Sequence, residues 1–142
     1  MFIIRLKAAG AFFLFFTIGL AAFYFSIQEL IYYYNLNDII IYSWVDCFAL
    51  LFSFVILLFS IYLIHIAFYG MAIPVDKSRS IYKITLTLFI ISLIAPVVFS
   101  FIYINKIESE GYIKCQGIPS GWMPGMATKY VTNEALCLKQ YP

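Results

Sequence analysis

Residues 47–69 read CFALLFSFVILLFSIYLIHIAFY. The run contains no Asp, Glu, Lys or Arg, and it keeps no polar face of the kind a soluble amphipathic helix presents to water. It is too long and too continuous for a buried strand. It also reaches the roughly 20 residues with which an α-helix crosses a hydrocarbon core about 30 Å thick. Such a segment predicts a membrane helix. Two further runs of the same kind flank it, AAGAFFLFFTIGLAAFYFSI at residues 8–27 and ITLTLFIISLIAPVVFSFIYI at residues 84–104.

Composition supports that reading over the whole chain. Of its 142 residues, 64% are hydrophobic, 20% aromatic and only 11% charged, against a usual charged share of about 25% in soluble domains. The predicted fold is an all-α membrane protein of three transmembrane helices in one domain, joined by connections at 28–46 and 70–83 and closed by a tail at 105–142. No repeat, heptad region or low-complexity linker divides it. Its first partner is therefore the lipid bilayer. A net charge of +2, split along the chain, excludes a nucleic-acid surface.

Those charges orient the spans instead. Arg5 and Lys7 precede the first, and Lys77, Arg79 and Lys83 lie in or beside the second connection, opposed only by Asp76. The first connection carries Glu29, Asp38 and Asp46 and no basic residue. The positive-inside rule places the N-terminus and residues 70–83 in the cytoplasm, and residues 28–46 and the tail outside. Lys106 and Lys114 argue the other way, but Glu108 and Glu110 accompany them. A cleaved signal peptide is the rival reading of the N-terminus; the long apolar run without a small-x-small site before Gln28 favours an uncleaved first helix.

The outer connection gathers Tyr32, Tyr33, Tyr34, Tyr42 and Trp44, amphipathic rings that suit the membrane boundary. They read as an aromatic belt or as a surface for a partner. The segment DIIIYSW at 38–44 reads as a short interfacial helix or an early start of the second span. Gly70 and Pro74 end that span and prevent its continuation, and Pro96 should bend the third.

Catalytic schemes fail by inventory. The chain has one histidine and no Walker loop, GxSxG, HExxH or CxxC motif, so no enzyme, cofactor or metal site is expected. His65, about one turn from the end of the second span, and Asp46, at its start, are the intramembrane polar candidates. The structural reading of each is a residue near enough to the interface to reach water or a neighbouring helix.

The tail holds CQGIPSGWMPGMATKYVTNEALC, residues 115–137. Gly117, Gly121 and Gly125 have GxxxG spacing, but Pro119 and Pro124 between them exclude a packing helix and mark turns. TNEALCLKQ suggests a short helix capped by Thr132. A small segment outside the cytoplasm cannot bury enough apolar surface to order itself, and there a disulfide is available. A Cys115–Cys137 bridge is therefore expected, contributing about 3 kcal/mol for a loop of this size. Cys47 remains as a small buried hydrophobe. Trp122, Met123, Met126 and Tyr130 join Tyr32, Tyr33, Tyr34 and Trp44 as candidates for a partner surface.

The stretch YIKCQGIPSGWMPGMATKYV, followed by the second cysteine, resembles the C-terminal signature of a domain-of-unknown-function family of small enterobacterial inner-membrane proteins. The resemblance implies a bacterial inner membrane and a periplasmic tail, and carries no catalytic residues. In architecture the chain is similar to small multispan immunity proteins that protect bacteria from membrane-active toxins. The leading expectation is an immunity protein that binds a membrane-inserting toxin. The alternative is an accessory or regulatory subunit of a larger membrane complex. A thiol oxidoreductase, disfavoured by the wide cysteine spacing, and a holin-like pore are further readings.

Overall fold

The structure, a computed structural model, describes residues 2–117, 119 and 125–138. Three long helices carry the chain: α1 (Phe2–Tyr34), α2 (Trp44–Tyr69) and α3 (Val75–Ser109). All three are long and apolar enough to cross a membrane, so the chain is a multi-pass membrane protein. Each runs past the apolar core read from sequence, because interfacial residues continue the helical hydrogen bonding beyond the hydrocarbon. The connection expected at 70–83 accordingly shrinks to the few residues before Val75.

The helices pack through small residues rather than large ones. On α1 the buried positions Gly19, Ser26 and Tyr33 recur every seven residues, and on α2 Ser53 and Ser60 do the same. Seven is the spacing that keeps one stripe of a helix against its neighbour, and small side chains allow close approach where lipid supplies no hydrophobic drive. A Cβ built on Gly19 would lie 3.0 Å from Leu57 Cδ2. On either side of this contact Phe15 meets Phe59 and Phe23 meets Phe54 edge to face, with centroids 5.4 and 5.5 Å apart. The buried hydroxyls of Ser53, Ser60 and Ser92 bond carbonyls of their own helices, Leu50, Ile56 and Phe89, at 2.6, 2.9 and 2.7 Å. No polar atom of those groups is left bare in an apolar surround.

The turn after α2 is fixed by backbone geometry and one charge. Gly70 adopts φ 71°, a left-handed conformation that glycine takes without strain, and its N–H bonds Ile66 O. The Arg5 guanidinium crosses from α1 to donate to Tyr69 O at 3.3 Å, a cation at the negative end of a helix. Pro74 then stands as the N-cap of α3. Within α3, Pro96 is fully buried and the helix continues through it.

At the opposite end lies a sheet that the sequence reading did not contain. Strands β1 (Ile39–Ser43), β2 (Ile113–Lys114) and β3 (Ala127–Val131) pair antiparallel in the order β1-β3-β2. Residues 39–43, expected to be helical, are thus a strand from the first connection married to a strand of the tail. A 3₁₀ helix, Glu134–Leu138, follows β3. It begins after Asn133, whose side chain accepts the Ala135 N–H at 3.1 Å; Thr132, the expected cap, instead donates to Asp38 at 3.5 Å. The disulfide between Cys115 and Cys137 is present, with Cα atoms 5.5 Å apart. It ties the 3₁₀ helix to the residue that follows β2.

Candidate functional site

The core of the protein sits under this sheet. Tyr33 from α1, Ile40 and Tyr42 from β1, Tyr103 and Ile107 from α3, Tyr112 and Tyr130 form one buried cluster. Its placement follows from strand alternation: Ile40 and Tyr42 share a face of β1, and their partner Tyr130 lies opposite Ile40. On α3, Ser92, Pro96, Tyr103 and Ile107 are four, seven and four residues apart and give one buried face.

Phenol hydroxyls lock the cluster to the backbone. Tyr33 receives the Ser43 N–H at 3.0 Å and donates to the Asp46 carboxylate. Tyr103 donates to Tyr33 O at 3.0 Å, joining α3 to the end of α1. Tyr112 donates to Leu36 O and Asn37 O at 2.8 and 3.0 Å, and the Tyr42 hydroxyl bonds Ser100. Tyr32 donates to Ile39 O. Burial raises the pKa of Tyr42, Tyr112 and Tyr130 above the ordinary tyrosine value of 10.0, so these phenols stay neutral. Lys106 is the basic residue of the last turn of α3, a position that suits the helix dipole.

These bonds also close the sheet. The Cys115 N–H donates to Lys129 O, so Lys129 turns its backbone toward β2. Its partner Ile41 must then point its own groups away from β3, as do Ile39 and Ser43 two residues to either side. That outer edge faces α1, where Tyr32 takes up Ile39 O and Tyr33 takes up Ser43 N–H. An edge that would otherwise recruit another strand is covered. On the far face, the buried Lys129 ammonium donates to Leu136 O and Cys137 O at 2.8 and 3.3 Å. A cation thereby holds the carbonyl end of the 3₁₀ helix over the sheet. Sequence reasoning missed Lys129, since one lysine inside a short strand gives no sign of being internal.

The expected partner-facing residues divide. Tyr33 and Tyr130 are 2% exposed, which corrects their reading as contact surface: they are core. Tyr32 is spent on β1. Tyr34 and Trp44 are exposed, and the Trp44 indole N–H approaches Gly125 O at 3.4 Å. Met126 is exposed beside it. Trp122 and Met123 lie outside the described residues, as do Gly121 and Pro124; Gly117 and Gly125 have φ of 102° and 78°, as turn glycines. Asp46, half-buried in the first turn of α2, accepts from Tyr33 of α1. His65 packs on Tyr69 with ring centroids 4.6 Å apart and the planes tilted by 33°, and its Nδ1 is buried with no hydrogen-bond partner among the described residues.

A groove of about 280 Å³ opens between α3 and the sheet, lined among others by Tyr42, Trp44, Val97, Ser100, Ile104 and Met126. It adjoins a stripe of α3, Ile90, Ile94, Val97 and Phe101, whose side chains are exposed. Among the described residues no three His, Cys, Asp or Glu side chains converge on a common point.

No curated protein and no solved structure matches the chain. A family profile, described as "Protein of unknown function (DUF1240)", matches residues 40–138. The match runs from the second residue of β1 through α2 and α3 to the end of the 3₁₀ helix, and so contains both bridged cysteines and all of the sheet but Ile39. By that match over most of its length, the chain belongs to the DUF1240 family.

Proposed function

We propose that this chain is a bacterial inner-membrane immunity protein, with its N-terminus in the cytoplasm and its cap in the periplasm, that neutralises a membrane-inserting antibacterial toxin by binding it directly. The observation that carries the reading is the exposed stripe of α3 running into the groove beside Trp44 and Met126. Helices associate in lipid by close packing and polar contact, so an inhibitor of an inserted toxin needs an unpartnered helix face within the bilayer. An aromatic groove at the end of that face supplies anchors of the type that dominate binding energy. The disulfide and the tyrosine bonds hold the groove in shape before binding, which lowers the ordering cost.

Survival of cells carrying the gene, while a candidate toxin gene beside it is expressed to the periplasm, tests the proposal. Protection by the intact protein, lost on Val97→Glu at equal membrane abundance, is the expected result. Absence of protection against every toxin encoded nearby overturns it. Copurification of a host membrane protein without any toxin would favour the accessory-subunit reading instead.

A further inference from the structure

A second groove lies between α2 and α3 at the end of the bundle away from the sheet. It has a volume of about 470 Å³, and its walls include Leu58, Phe59 and Tyr62 from α2 and Arg79, Ile81 and Tyr82 from α3. We propose that this groove holds one anionic glycerophospholipid, an acyl chain lying along Leu58, Phe59 and Ile81 and the phosphate on Arg79.

The argument rests on the distribution of polarity. Thr85, the lining residue deepest along α3, is six positions from Arg79, so the wall extends about 9 Å by helical rise. Over that distance it passes from a guanidinium to an apolar body, the profile of an amphiphile. Both walls belong to membrane-spanning helices, and what enters an apolar groove sideways in a bilayer is an acyl chain. Tyr82 stands just before the apolar run of α3, where such a ring suits the headgroup boundary.

Charge selects among lipids. A planar guanidinium engages a phosphate through two parallel bonds, and basic pockets between helices near this boundary favour anionic headgroups. Lys83 follows Arg79 by one helical turn, and Arg5 sits across the adjacent end of α2. No described residue of the lining is acidic. A free phosphate ion fits this groove poorly: Arg79 is exposed to water, and the apolar body has nothing to offer a small anion.

Native mass spectrometry of the full chain, delipidated in detergent, with phosphatidylglycerol or phosphatidylethanolamine added, tests the proposal. The intact protein should retain phosphatidylglycerol about fivefold better, the discrimination one interfacial cation supplies. Arg79→Gln should remove that preference, whereas Lys106→Gln, at the other end of α3, should leave it. Thr85→Trp, which fills the groove, should abolish retention of both lipids with the melting temperature unchanged. Equal retention of the two lipids by the intact protein overturns the proposal, and so does an equal effect of Arg79→Gln and Lys106→Gln. Retention of glycerol phosphate alone as strongly as the whole lipid would show an ion site and reject the acyl-chain groove. If Thr85→Trp does not fold, Ile81→Phe, a smaller filling of the same wall, should reduce retention severalfold; no reduction overturns the proposal.

Discussion

Tyr33 joins α1 to β1, α2 and α3 beneath the cap. Its hydroxyl joins β1 to the first turn of α2, its own carbonyl accepts from α3, and its ring packs on Tyr42 and Tyr103. Tyr33→Phe keeps the ring but strands the Ser43 N–H and removes the donor to Asp46. A loss of about 1–3 kcal/mol is expected, measured by thermal unfolding in detergent; Tyr34→Phe, on an exposed ring, should cost almost nothing. Lys129→Met should cost a similar amount by leaving the carbonyls of Leu136 and Cys137 without their cation. The buried phenols also set an alkaline limit. Tyr42, Tyr112 and Tyr130 have pKa values raised by burial in the folded state, so the stability they lend is complete below about pH 10 and is lost as pH rises beyond it. Phenolate absorbance during alkaline titration should show them ionising later than in the denatured chain. None of this was legible beforehand. A tyrosine at a membrane boundary looks the same in sequence whether its hydroxyl meets water or a carbonyl brought from far along the chain.

The helices were legible because burial in lipid leaves a one-dimensional mark: an apolar run of sufficient length is the signal itself. Strands lack that mark here. The apolar residues 39–41 adjoin the second span and merge with its hydropathy, and β3 alternates around a lysine that is internal. Their pairing rests on contacts between segments separated by two membrane crossings, which no local period records. The Cys115–Cys137 bridge could be read because chemistry and compartment, not spacing, argue for it. Replacing both cysteines with serine should cost about 3 kcal/mol and melt the cap before the helices, seen as loss of near-ultraviolet dichroism at a temperature where helical signal persists. The seam between α1 and α2 carries its own prediction. Gly19→Leu must displace Leu57 and should cost about 1–3 kcal/mol through overpacking, whereas Gly10→Leu meets nothing within 4 Å and should be tolerated.

At the scale of the molecule, the sheet changes what the candidate site is. A tail read as a separate stapled segment is one half of a structure whose other half is the first connection, and the groove beside Trp44 exists because Gly125–Thr128 is brought to α3. The family match begins at Ile40 and ends at Leu138, near the first residue of β1 and at the last of the 3₁₀ helix, so the matched region coincides closely with the unit that the sheet closes. The pairing also imposes an order on biogenesis. β1 leaves the ribosome before α2 and α3, but β3, its partner, is made only after both. Until α3 and β3 have been made, β1 has only α1 to cover its edge, so the cap is a seal that forms only after the third helix is in place.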